Sequence, residues 1–190
     1  MKKLVLLIYM LPISLIAQFD FGFKAGLNSS NVSHVICEGD ADELISSSSP
    51  KLGAYAGLMF ERHLSSRISA QGELLYSMKG FKDGIRKFSF NEIAFPFLIK
   101  YSFDKFSFGL GHEIGYVVNN SIIDANMDAA ILGSLNYRLS DLLSLDFRYN
   151  HSYTKLFDVS FYNMENVQFG TGGVKTRVLQ FGVAYTLPSK

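Results

Sequence analysis

The stretch Leu143-Ser144-Leu145-Asp146-Phe147-Arg148-Tyr149-Asn150 alternates strictly between large apolar and polar side chains. Successive side chains of a β-strand point to opposite faces, so the apolar residues share one face and the polar residues share the other. The polar face carries both an acid, Asp146, and a base, Arg148. A soluble sheet would bury the apolar face, whereas a membrane barrel would turn it towards lipid. The rest of the chain decides between these two orientations.

The composition excludes several classes of protein. The chain has 190 residues, which corresponds to about one domain. Charged residues make up 18% of it, below the roughly 25% of soluble domains. The formal net charge is +1, so no basic surface indicates a nucleic-acid partner. Cys37 is the single cysteine, which excludes an internal disulfide.

The first residues have the pattern of an export signal. Lys2 and Lys3 precede the apolar run 4–16, and the small residue Ala17 stands before Gln18. This run is too short for a membrane-spanning helix, although an uncleaved anchor helix is the alternative interpretation. We therefore expect a signal peptide over 1–17 and an exported domain over 18–190.

Seven further stretches alternate as the first one does, at residues 19–28, 52–61, 68–79, 90–103, 106–118, 127–139 and 174–187. Together with 143–150 they predict eight strands. Leu75 is an apolar exception on a polar face. Pro96 has no backbone N–H, so it predicts a bulge or locally irregular pairing.

The connections between these strands alternate in length. Those after even-numbered strands are short, at 62–67, 104–105 and 140–141; those after odd-numbered strands are long and polar, at 29–50, 80–87, 119–126 and 154–173. Short periplasmic turns and longer extracellular loops are typical of transmembrane β-barrels. The sequence therefore predicts an all-β fold, an eight-stranded antiparallel up-and-down barrel in the outer membrane of a Gram-negative cell, with both termini periplasmic.

The apolar faces of the strands suit contact with lipid. They carry almost no charge, and His112 is their clearest polar member. A charge near the bilayer midplane costs about 2–4 kcal/mol, which explains why it is avoided. Aromatic residues gather near the strand ends, as in interfacial girdles: Phe19, Phe60, Phe103, Phe106, Tyr137 and Tyr185 at the short turns, and Tyr76, Phe90, Tyr116, Tyr149 and Tyr153 at the loops.

The polar faces would then fill a lumen that is only wide enough for side chains. Their charged residues form the predicted interior network: Glu73, Glu92, Lys100, Glu113, Asp128, Arg138, Asp146 and Arg148. Both signs are present, as pairing inside a barrel requires. We expect Arg148 at the centre, with Glu73, Glu92 or Asp128 as its acceptors.

Four segments carry a resemblance to a known family: Gly22-Phe23-Lys24-Ala25-Gly26-Leu27-Asn28, Gln71-Gly72-Glu73-Leu74-Leu75-Tyr76-Ser77, Glu92-Ile93-Ala94-Phe95-Pro96-Phe97-Leu98-Ile99-Lys100-Tyr101 and Leu145-Asp146-Phe147-Arg148-Tyr149. With them the chain resembles the PorT-like outer-membrane β-barrel proteins of Bacteroidetes. The resemblance implies an eight-stranded barrel, and a few members of that family assist secretion and gliding. Many outer-membrane barrels end on an aromatic residue, whereas this sequence continues past Tyr185 and Leu187 with Pro188-Ser189-Lys190.

The function that we expect is a non-enzymatic structural, interaction or secretion-accessory role with a plugged lumen. Its expected partners are outer-membrane lipid and other outer-membrane or secretion proteins, with no cofactor and no catalytic or metal residues. One alternative is an enzyme at the extracellular rim, built from His34, Asp40, Asp42, 46–49, His151 and Asp158. The other is a soluble lipocalin-like carrier, which would bury the apolar faces around a lipid.

Overall fold

The computed structural model describes residues 19–39, 49–83, 86–119, 127–155, 157–162 and 168–188. These residues form nine strands: β1 (Asp20–Gly39), β2 (Ser49–His63), β3 (Ile68–Asp83), β4 (Arg86–Phe103), β5 (Phe106–Asn119), β6 (Met127–Arg138), β7 (Leu143–Ser152), β8 (Phe157–Tyr162) and β9 (Gln168–Thr186). Within this part of the chain, no helix is long and apolar enough to cross a membrane.

Eight of the strands close a barrel in the order β1-β2-β3-β4-β5-β6-β7-β9. The barrel closes because β9 also pairs with β1, from Gly22↔Thr186 to Gly39↔Gly170. All of these pairings are antiparallel. The predicted eight-stranded antiparallel barrel is therefore confirmed. β8 pairs with β9 on the same side as β7 and continues the β7 position along β9 beyond residue 152.

The large apolar side chains point away from the barrel axis. Leu110 is 69% exposed and Phe97 is 57% exposed, whereas Asp146 and Arg148 are 0% and 1% exposed. The lipocalin-like alternative needed the opposite arrangement and is wrong. The opening stretch thus presents Phe147 and Tyr149 outwards and its charges inwards.

Three short connections mark one end of the barrel, which we call the short-turn end; the opposite end is the loop end. They are residues 64–67, 104–105 and 139–142, each between an even-numbered strand and the next. Backbone hydrogen bonds close them, including Leu64 N to Ile68 O at 2.8 Å and Leu139 N to Leu143 O at 2.9 Å. Asp104 lies in the two-residue turn and has a left-handed backbone conformation with a φ of 53°.

The strands at the loop end are longer than the alternation predicts. Residues 80–87 were expected to form a loop, but β3 and β4 stay paired to Asp83↔Arg86, and only 84–85 connect them. The rings of Phe81 and Phe88 stack across this hairpin with centroids 4.8 Å apart. Such a cross-strand aromatic pair stabilises a ladder in a segment that is otherwise rich in charged residues and glycine.

The predicted loops 29–50 and 154–173 are also partly strand. β1 continues to Gly39, and β9 begins at Gln168 opposite it, with β8 on the other side of β9. The first segment is rich in serine and acidic residues, and the second ends in Gly170-Thr171-Gly172-Gly173, so composition predicts loops. Backbone pairing between distant parts of the chain holds them as strands.

Pro96 interrupts the β3–β4 ladder, which confirms the predicted irregular pairing but not the bulge. Pairing of β3 with β4 runs in one register from Gly72↔Phe97 to Leu75↔Ala94, but the two intervening pairs are missing. On the other side, Pro96 pairs in register with Glu113 of β5. The missing donor therefore opens a short gap in the β3–β4 ladder without a bulge.

Candidate functional site

The centre of the lumen holds a charge cluster built around Arg148 of β7. Its guanidinium binds Glu73 of β3 with two nitrogens, Nη1 lying 2.7 Å from Oε2 and Nη2 contacting Oε1. Its Nε lies 2.7 Å from Oδ1 of Asp146. Two parallel bonds from a planar guanidinium to one carboxylate form a strong and directional ion pair.

A second cation completes this cluster. Nζ of Lys24, on β1, lies 2.9 Å from Oε1 of Glu73 and 3.2 Å from Oδ1 of Asp146. Gln71 donates to Glu73, and Asn136 donates to Asp146. Two cations thus face two carboxylates, which keeps the cluster electrically neutral. Neutral pairing with extra hydrogen bonds offsets the desolvation of buried charges.

A second charge cluster lies nearer the loop end. Nζ of Lys79 donates to Glu92 Oε1 at 2.7 Å and to Glu113 Oε1 at 2.9 Å. Asn150 Nδ2 donates to the other oxygen of Glu113 at 2.8 Å. One lysine therefore joins β3, β4 and β5 across the lumen, and all four side chains are buried.

Asp128 is bound by hydroxyl groups. Ser152 donates to its Oδ1, Thr154 donates to the same oxygen at 3.0 Å, and Thr176 donates to Oδ2 at 3.1 Å. Among the described side chains no cation lies within ion-pair distance of it. Three hydroxyl donors stabilise a carboxylate without a cation.

Apolar side chains fill the lumen between and beyond the clusters. Tyr55, Leu75 and Ala94 pack together. Leu75 is the next inward-facing residue after Glu73 on β3. Further buried apolar residues are Leu98, Leu132, Phe81, Phe90, Val117 and Val178. The prediction that Phe90 belongs to an outer aromatic girdle is wrong, because its side chain is 2% exposed and has the inward orientation of its strand.

The lumen opens at the short-turn end, which we call the mouth. A recess of about 320 Å³ lies there, and Glu61, Lys100 and Arg138 are among its lining residues. Lys100 donates to Glu61 at 2.8 Å and to Gln71 at 2.8 Å. Arg138 was predicted in the interior network, but it is exposed at this mouth, where it donates to the carbonyl of Asp104 at 2.8 Å. The strand reaches the turn at Arg138, so its long side chain extends into solvent.

The structure thus brings Glu73, Asp146 and Arg148 together, and it places Glu92 with Glu113 in a separate cluster. Sequence reasoning left Lys24, Lys79 and Glu61 out of the network. A signal for the two lysines was present, because the predicted set held five acids and three bases. Buried acids require cations, and Lys24 and Lys79 lie on the same inward faces.

The described interior side chains form ion pairs, hydrogen bonds and packing contacts. Among the described side chains no three His, Cys, Asp or Glu residues form a group that could hold a metal ion. Of the residues considered for a rim enzyme, His151 stacks its ring on Tyr149 at 6.3 Å. Asp40, Asp42 and residues 46–48 lie outside the described residues, as do the side chains of His34 and Asp158.

Comparison with solved structures finds membrane barrels of the same size. OprG of Pseudomonas aeruginosa superposes with a TM-score of 0.53 at 12% sequence identity, covering 88% of this chain and 95% of that chain. Ail of Yersinia pestis, solved in complex with the heparin analogue sucrose octasulfate, gives a TM-score of 0.48 at 13% identity, covering 90% and 99%. A search of curated proteins finds no match.

The family comparison covers most of the chain. The model of the outer membrane protein beta-barrel domain matches residues 16–163, which include β1 to β8. The lipid-facing apolar surface and the closed strand order agree with that match. The chain therefore belongs to the outer membrane protein beta-barrel domain family and is an outer-membrane protein.

Proposed function

We propose that this protein is a non-conducting, non-enzymatic barrel that anchors an interaction surface in the outer membrane, as a structural or secretion-accessory component. The observation that carries the proposal is the central cluster, in which Lys24, Glu73, Asp146 and Arg148 meet from β1, β3 and β7. All four side chains are almost completely buried. Side chains from several walls that bind one another leave no continuous aqueous path.

The side chains that fill the lumen form more than one layer. Along β3 the inward residues are Glu73, Leu75, Ser77, Lys79 and Phe81, and every one of them is buried. Charged, apolar, polar, charged and apolar layers therefore follow one another from the centre to the loop end. A conducting channel would need water-exposed side chains along this line.

Planar-bilayer recording tests the proposal. The wild-type protein is expected to show no long-lived open channel. The variant Glu73→Ala/Arg148→Ala removes both partners of the central pair and should leak small ions if it inserts. A large and stable open state of the wild type would overturn the plugged lumen.

The orientation is also a proposal: the loop end faces the outside of the cell, and a signal peptide over 1–17 directs export. The long paired extensions at the loop end support it, because outer-membrane barrels keep short turns in the periplasm. In a Cys37→Ser background, an impermeant maleimide should label Ser49→Cys on intact cells. Ser66→Cys, at the short-turn end, should react only after permeabilisation. The reverse pattern would invert the orientation.

We place the protein in the PorT-like group of Bacteroidetes barrels on the four segments quoted above. Several of their inward residues, including Lys24, Glu73 and Arg148, make the central cluster. A secretion-accessory role would act through the loop end. Replacing 40–48 by a Gly/Ser linker of equal length keeps every described strand residue. Unchanged secretion and surface binding in that variant would remove this first loop from the proposal.

A further inference from the structure

Three lysines gather on the outer wall of the barrel, just beyond the apolar surface at the loop end. On β3 the outward residues are Leu74, Tyr76 and Met78, and then Gly80 and Lys82. Lys87 of β4 stands directly opposite Lys82 in the ladder, and both side chains are exposed. These lysines therefore continue the lipid-facing surface and do not belong to the lumen.

Lys51 of β2 reaches the same surface. Its Nζ donates to Ser89 Oγ at 2.6 Å, and Ser89 points outwards between Lys87 and Asn91. Gly80 makes room for this path, because a Cβ there would lie 2.8 Å from Lys51 Cδ and 2.1 Å from the Phe88 carbonyl oxygen. The lysine side chain thus extends past Gly80 of β3 to Ser89 of β4.

Along the membrane normal, the three lysines lie at the level of the lipid headgroups. Lys82 lies four residues beyond Met78, which is about 13 Å along a strand and about 10 Å along the membrane normal at the usual tilt. The headgroup zone extends roughly 5–8 Å beyond the hydrocarbon on each side. A flexible lysine side chain adjusts over the remaining distance.

Among the described side chains, the cluster has no anionic partner. None of the three lysines forms an ion pair with a described acid. Like charges directly opposite each other, as in Lys82↔Lys87, destabilise an antiparallel pair. A bound anion would relieve this repulsion.

We propose that Lys51, Lys82 and Lys87 bind the phosphate of an outer-leaflet glycolipid whose acyl chains lie against Met78 and Ile93. Ammonium groups bind phosphate as point charges, and a phosphomonoester carries about −1.5 to −2 charges at neutral pH. The position above the apolar surface favours a lipid-borne phosphate over a free one. The outer-leaflet assignment rests on the proposed orientation.

The test uses the full-length protein in phosphatidylcholine vesicles with and without bisphosphorylated lipid A. Lipid A should raise the temperature of thermal unfolding of the wild type. Lys51→Gln/Lys82→Gln/Lys87→Gln should bind lipid A on the order of a hundredfold more weakly, at about fivefold per lysine. The matched control Arg67→Gln/Lys105→Gln/Arg138→Gln removes three cations from the short-turn end and should keep wild-type binding.

Three outcomes would overturn the proposal. The first is equal lipid A binding by the wild type and the lysine triple variant, with heat-modifiable gel mobility showing that both are folded. The second is an equal stabilisation by inorganic phosphate, which would exclude a lipid-specific site. The third is equal loss in the control variant, which would mean general charge attraction. Binding in vesicles does not depend on the orientation of the protein in the cell. The lipid A result is therefore independent of the cysteine-labelling and conductance results, which test the proposed function.

Discussion

Arg148 is the residue on which the central cluster depends, because its guanidinium contacts both Glu73 and Asp146. Arg148→Leu leaves Lys24 alone with two buried carboxylates. Removing one partner of a buried pair costs about 3–5 kcal/mol, so we expect that loss in the free energy of unfolding by urea in lipid vesicles. The control Arg67→Leu changes an exposed arginine in a short turn and should cost less than about 0.5 kcal/mol. Equal losses in the two variants would show that the cluster adds no stability.

Two glycines on neighbouring strands give a second contrast. A Cβ on Gly111 would lie 1.9 Å from the Phe97 carbonyl oxygen, whereas a Cβ on Gly133 would meet nothing within 4 Å. Gly111→Ala should therefore destabilise the barrel by about 1–3 kcal/mol. Gly133→Ala should be neutral or stabilise it by up to about 1 kcal/mol, since it restricts the unfolded chain. Urea unfolding of both variants measures the contrast, and a tolerated Gly111→Ala would mean that β4 and β5 lie farther apart than described.

At the residue scale, the sequence predicts orientation but not partners. Asp146 and Arg148 could be assigned to one face because alternation is a local property with a period of two. The choice of Glu73 over Glu92 or Asp128 as acceptor depends on how the strands are staggered around the barrel. Alternation does not determine that stagger, so it places Lys79 on an inward face but does not pair it with Glu92.

At the scale of the strand, a substitution in β5 tests how deep its outward residues lie in the bilayer. Leu110 lies in the middle of β5 and points outwards. Leu110→Arg should cost about 2–4 kcal/mol, because a charge at the bilayer midplane is poorly solvated. Leu64→Arg, in the exposed turn after β2, should cost at most about 1 kcal/mol. The measurement is unfolding in vesicles, and equal costs at the two sites would contradict the assignment of Leu110 to lipid.

The ends of the strands show the limit of prediction at this scale. Residues 80–87 contain lysines, an aspartate and glycines, which favour a loop by composition. They remain paired because Phe81 and Phe88 stack across the hairpin. That contact exists only once the register of β3 and β4 is known, so a single pass along the sequence does not reveal it.

At the scale of the whole molecule, the apolar and polar surfaces are exchanged relative to a soluble protein. Phe97 and Leu110 face outwards, while charged residues from most of the strands fill the interior. Closure follows from the same physics, because an open sheet edge in hydrocarbon would leave backbone groups without partners. The length asymmetry of the connections and the uncharged apolar faces were therefore sufficient to predict the architecture. The layered interior, with Phe90 inside, required the three-dimensional register.

The central claim is that the apolar face meets lipid and the other face does not. The sequence has no tryptophan, so a single introduced tryptophan reports on one site. Phe97→Trp and Phe90→Trp change two phenylalanines of β4 that point outwards and inwards. In vesicles of lipids brominated at shallow or deep acyl positions, fluorescence of the Phe97→Trp variant should be quenched, whereas that of the Phe90→Trp variant should stay unquenched with both lipids. Quenching of Phe90→Trp with protection of Phe97→Trp would contradict the assignment of the two faces.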